Sequence, residues 1–118
     1  MKKILVVEDN EDNAFLFHSL LSLRNNEIIE ATTGLEGVEL AISKMPDLIL
    51  MDIQLPDVNG LEATRQIREA LGDKIPILAV TSYAMTGDRE ECIAAGCNSY
   101  IEKPINPETF LQKVEEFL

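Results

Sequence analysis

Asp52 follows the apolar run Leu48-Ile49-Leu50-Met51 and precedes Gln54-Leu55-Pro56-Asp57-Val58-Asn59-Gly60, a stretch that breaks any regular pattern. A short apolar run bounded by turn signals fits a strand buried on both faces, as in a parallel sheet. Asp52 then stands at the strand's carboxyl end, where open α/β sheets bind ligands and do chemistry. A lone Asp there also reads as a turn former or a helix cap, so the question is what else converges on it. Glu8 and Asp9 follow Ile4-Leu5-Val6-Val7, Thr81 and Ser82 follow the run ending at Val80, and Lys103-Pro104 follows Tyr100-Ile101-Glu102. Parallel strands place all of these at one edge. Three carboxylates about 4 to 5 Å apart would repel by roughly 4 kcal/mol per pair at an effective dielectric of 20, so a positive charge belongs among them. A hard divalent cation meets that need better than Lys103 alone, and few protein oxygens with room for a phosphate point to Mg²⁺ over Ca²⁺.

The elements that must position these groups alternate along the chain. Strands are expected over residues 4–7, 27–31, 48–52, 75–80 and 98–102, the second weaker and at an edge. Each is followed by a helical pattern. The first helix should bury Leu16, Phe17, Leu20 and Leu21, leaving Phe15 and His18 off that face, and the second Leu35, Val38, Ala41 and Ile42. In the third, over residues 61–71, the inward candidates are Ile67, Ala70 and Leu71; in the fourth, about 86–95, a sparse stripe of Cys92, Ile93 and Ala95. Gly96 suits a left-handed position after it. Asn106-Pro107-Glu108 is a strong start for the last helix, which should bury Phe110, Leu111, Val114, Phe117 and Leu118. Five strand-helix repeats joined by right-handed crossovers give an α/β domain, a doubly wound parallel sheet with helices on both faces.

At 118 residues the chain has the size of one domain with a real core, and nothing is left for a second module. Ten basic residues against 21 acidic ones, a net charge of -11, argue against nucleic acid and anionic membranes as partners, because both are bound through Lys and Arg. Cys92 and Cys97 form no metal-ligand spacing and read as reduced core thiols. His18, the one histidine, makes neither a metal cluster nor a catalytic motif. The apolar run after Met1-Lys2-Lys3 stops at Glu8, too short for a signal peptide, and no run is long enough to span a bilayer, so the expected location is the cytoplasm.

Taken together, Glu8-Asp9, Asp52 within MDIQLPDVNGLE, Thr81, Tyr100 and Lys103-Pro104 resemble the receiver domain of two-component response regulators, over essentially all of residues 1–118. The resemblance implies a flavodoxin-like sheet of order 2-1-3-4-5. It implies that Asp52 takes a phosphoryl group from the phosphohistidine of a histidine kinase or a histidine phosphotransfer protein, giving an acyl phosphate. Mg²⁺ would be held by Glu8, Asp9, Asp52 and the backbone carbonyl of Gln54, with Lys103 stabilising the phosphoryl oxygens. Thr81 would donate its hydroxyl to the bound group and Tyr100 would turn inward as Thr81 moves. The surface of the fourth helix, fifth strand and fifth helix would then change towards a downstream protein target. A cis Lys103-Pro104 bond and a tuning of hydrolysis by Gln54 and Tyr83 also follow from the resemblance.

The rival reading is a haloacid-dehalogenase-like phosphatase, which shares a strand-end Asp nucleophile and Mg²⁺ but calls for a second acid two residues on, where this chain has Gln54. A flavodoxin-like mononucleotide binder would need a phosphate-cradling loop, and the acidic first turn opposes one. Met1 just ahead of the first strand and an end at the last helix fit a free-standing switch or relay, against a receiver within a larger regulator or hybrid kinase.

Overall fold

The apolar runs do become strands, and their pairing sets the architecture. In a computed structural model describing residues 1–82 and 86–118, ten elements alternate: β1 (Lys2–Val7), α1 (Glu11–Ser22), β2 (Asn26–Ala31), α2 (Gly34–Lys44), β3 (Leu48–Asp52), α3 (Gly60–Leu71), β4 (Ile77–Thr81), α4 (Thr86–Ala95), β5 (Ser99–Glu102) and α5 (Pro107–Glu116). Tyr83 lies outside the described residues. All strands pair in parallel in the order β2-β1-β3-β4-β5, the doubly wound order expected.

The central strands are buried on both faces, so alternate side chains feed two separate cores. Leu5, Val7, Ile49, Met51, Ile77 and Ala79 meet Ala41 of α2, Ala63 and Ile67 of α3, and Cys92 of α4. Ile4, Val6, Leu48, Leu50, Leu78 and Val80 meet Phe17 and Leu21 of α1 and Phe110 and Val114 of α5. Phe17 and Phe110 stack across the α1–α5 seam with ring centroids 5.4 Å apart. Both cysteines are buried and form no disulfide, as expected, and burial pushes Cys97 up to about 11.

Several side chains depart from the expected faces. Leu35 and Ile42 are 54% and 45% exposed, whereas Gly34, Gly37 and Ala41 form the buried face of α2. The reason is proximity: a Cβ on Gly37 would stand 2.8 Å from Val7 Cγ2, so α2 lies against β1 through its smallest residues. Ala70 and Ile93 are exposed too, and α3 buries Ala63 and Thr64 instead. Thr64 is accommodated because its hydroxyl donates to the Gly60 carbonyl at 2.8 Å. Ile75 and Pro76 precede β4, so proline never interrupts a ladder.

At the amino-terminal edge of the sheet Arg68 gathers the chain. Its guanidinium donates to the carbonyls of Gly96 (2.9 Å), Gly72 (3.0 Å) and Ile75 (2.7 Å) and to Asn98 Oδ1 (2.8 Å). Gly96, at φ +116°, follows α4 where expected, and a Cβ there would meet Arg68 Cγ at 2.7 Å.

Candidate functional site

Strand register assembles the site. Val7 pairs with Met51, so Glu8 and Asp52 leave adjacent strands side by side. Val80 pairs with Asp52 and Glu102 with Thr81, which brings Lys103 to the same edge. The Lys103 amide donates to the Thr81 carbonyl at 2.8 Å, and the Lys103-Pro104 bond is cis, as the resemblance implied. Lys103 Nζ then stands 3.1 Å from Glu8 Oε1 and 3.5 Å from Asp52 Oδ2.

One carboxylate oxygen from each of Glu8, Asp9 and Asp52 lies within 4.8 Å of the others. Glu8 is 2% exposed and Asp52 is likewise buried, while Asp9 faces solvent. Neither Glu8 oxygen has an aligned hydrogen-bond donor among the described residues, so Lys103 compensates it by charge. Burial pushes the Glu8 carboxyl up to about 7, the neighbouring Asp52 adds to the rise, and Lys103 opposes it. A buried carboxylate with open oxygens beside two others is an all-oxygen donor set suited to a hard cation, so these residues fit the expected metal ion. On the far side of Asp52, the Gln54 amide donates to Oδ1 at 3.0 Å and orients the carboxylate.

These groups open into a cavity of about 440 Å³ lined by Glu8, Asp9, Asn10, Asn13, Asp52, Gln54, Ser82 and Lys103. Six of the expected site positions thus gather around one space, counting Lys103 and the neighbouring Thr81. Of the described residues at the end of β4, Ser82 stands in the cavity wall, while Thr81 is buried beside it. Tyr100 is not part of this wall. Half-buried on β5, it lines a separate cavity of about 370 Å³ bordered by α4 and α5, with the Arg89 guanidinium carbon 5.4 Å from its ring centroid. Phe15, 75% exposed, and His18, whose Nδ1 is 3.1 Å from Glu30 Oε1, border the acidic corner on the α1 side.

Residue types alone did not single out Asn10, Asn13 and Asp57. Asn10 caps α1 through Asn13 N, and the polar run that contains both was the available signal. Asp57 looked like a turn residue. Its Oδ1 accepts from Gly34 N at 2.8 Å and its Oδ2 from Leu35 N at 2.9 Å, and these bonds hold its carboxyl below the usual value.

The chain matches the family model of the response regulator receiver domain over residues 4–115. It is 44% identical to the polar-differentiation response regulator DivK of Brucella ovis, covering 99% of this chain and 96% of that protein. The receiver domain of the sensor histidine kinase PA1611 from Pseudomonas aeruginosa PAO1, solved with a magnesium ion coordinated in its active-site cleft, superposes with a TM-score of 0.90 at 35% identity, covering 98% of this chain and 96% of that one. Vibrio cholerae chemotaxis protein CheY4 superposes at 0.93 with 28% identity, covering 100% and 99%. The phosphatase reading finds no support in these matches. The family match over residues 4–115, the strand order and the relatives spanning nearly the whole chain agree, and the chain belongs to the response regulator receiver domain family.

Proposed function

We propose that Asp52 is the phosphoryl acceptor of this receiver and that the whole of residues 1–118 serves as one receiver domain. The observation that carries this reading is the buried Asp52 carboxylate beside Glu8 and Asp9, with Lys103 Nζ 3.5 Å from its Oδ2. In the transfer, an Asp52 oxygen forms a bond to phosphorus as the phosphorus–nitrogen bond of a phosphohistidine breaks, and the electron pair returns to the departing imidazole. The donor is a histidine kinase or a histidine phosphotransfer protein.

Glu8, Asp9, Asp52 and the Gln54 backbone carbonyl are the groups that would hold Mg²⁺. Bound there, Mg²⁺ supplies positive charge that offsets the charge on the phosphoryl oxygens. The Gln54 amide orients Asp52 for attack. Lys103 holds its ammonium against the incoming group, and the Thr81 hydroxyl donates to the phosphoryl once it is attached. As Thr81 moves, Tyr100 turns inward and the α4–β5–α5 surface changes its affinity for a downstream protein, a population shift driven by differential contacts. The same groups let the domain catalyse its own phosphorylation from small donors and its own dephosphorylation by water. Net charge of -11 fits protein partners over nucleic acid or anionic membrane, and a cytoplasmic location fits a chain with no helix able to cross a membrane among the described residues.

Incubation with acetyl phosphate and Mg²⁺ should add one labile phosphoryl group, seen by intact mass, and omission of Mg²⁺ should suppress it. The Asp52→Asn variant should gain none. Equal incorporation by that variant would refute the assignment.

A further inference from the structure

The first amides of a helix have no intrahelical acceptor and must be satisfied from elsewhere. In α2 the first two helical amides take their acceptors from another part of the chain. Glu36 N donates to Thr33 Oγ1, the ordinary local cap, and Gly37 N begins the regular ladder on the Thr33 carbonyl. Gly34 N and Leu35 N are bonded by Asp57, in the loop between β3 and α3. That loop leaves the sheet at Asp52 and is closed at its base by Gly60 N donating to the Ile53 carbonyl at 2.8 Å. Its inner leg carries Gln54, whose amide holds Asp52 Oδ1 and which lines the site cavity. Its outer leg lies directly on the α2 start: a Cβ on Gly34 would stand 2.6 Å from Val58 Cγ2 and 2.8 Å from the Val58 carbonyl oxygen.

We propose that Asp57 is a positioning residue of the phosphorylation site: its two bonds to the α2 amino terminus hold the 53–59 loop, and thereby the Gln54 backbone, against the Glu8–Asp9–Asp52 cluster. The proposal rests on the reading of that cluster as a divalent-cation and phosphoryl site. A carboxylate suits the post for two reasons. Two oxygens match two adjacent amides, and its charge meets the positive end of the helix dipole. Asp57 touches none of the reacting groups, so its effect must pass through the loop backbone.

A capping residue that only stabilised α2 would be interchangeable with the other cap of the same helix, and this separates the two roles. Mg²⁺ affinity of the metal-free protein is measured by titration calorimetry for wild type, Asp57→Ala, Asp57→Asn and Thr33→Ala, with thermal melting of each. Asp57→Ala should weaken Mg²⁺ binding on the order of tenfold, the scale for groups that orient metal ligands. Asp57→Asn, which keeps one carbonyl acceptor, should fall between it and wild type. Thr33→Ala should lower the melting temperature while leaving Mg²⁺ affinity as in wild type. Unchanged affinity in Asp57→Ala, or an equal loss in Thr33→Ala, would overturn the positioning role. The Asp52→Asn arm with acetyl phosphate reports separately on the site itself, so a phosphorylated Asp52→Asn protein would sink the underlying reading and not the loop geometry.

Discussion

Glu8 sits where its own ionisation opposes folding. Burial and the adjacent Asp52 raise its carboxyl from 4.5 to about 7, so the folded chain holds that proton more tightly than the unfolded one. The contribution is fully present below pH 4.5 and is lost as pH rises to about 7, a loss on the order of 3 kcal/mol for the metal-free protein. Urea denaturation of the metal-free protein between pH 5 and 8 should therefore show a downward slope with rising pH that Glu8→Gln removes. Identical slopes in the two proteins would contradict this account. The same residue shows why the site was largely readable from residue types. Glu8 and Asp52 each follow an apolar run directly and Lys103 follows the last residue of β5, and a parallel sheet converts those strand-end positions into convergence. Asp57 escaped notice because its partners, Gly34 and Leu35, precede it by 23 and 22 residues, and nothing local marks an acid that caps a different helix.

At the scale of elements, pattern and structure part company where glycine and alanine make the contact. The helical period of α2 was right, but the face was chosen by side-chain size. Leu35 and Ile42 supply the bulk of an apolar helical stripe, whereas close approach to β1 selects Gly37 and Ala41. Ala70 and Ile93 likewise face solvent on α3 and α4. The strands were legible to within about two residues because continuous apolar runs have no face to choose. Gly60 is the sharpest test of close approach. A Cβ there would run into the Asp52 carbonyl oxygen and stand 2.8 Å from Ile53 Cα, both backbone atoms that cannot swing aside. Gly60→Ala should cost about 3 kcal/mol or more in denaturant unfolding, well beyond the gain of about 1 kcal/mol that alanine brings within a helix. A stability within 1 kcal/mol of wild type, a threshold set by that propensity gain, would show that the α3 start relaxes away from β3.

Across the whole molecule, the sheet divides labour between its two ends. Acids and Lys103 occupy the carboxyl edge, while Arg68 ties α3, the end of α4 and the approaches to β4 and β5 at the other. The sheet also divides the interior across its thickness, and that partition has a thermodynamic consequence. Phe17 and Phe110 share a stack, whereas Ile67 packs among side chains of the opposite face. Free energies of substitution should then be coupled within a core and independent between cores. In double-mutant cycles, Phe17→Leu with Phe110→Leu should show an interaction energy of about 0.5 kcal/mol or more, and Phe110→Leu with Ile67→Val should add to within about 0.5 kcal/mol. Non-additivity of the second pair would mean that the two cores sense each other through the strands, and that mutational load on one side of the sheet draws on the reserve of the other.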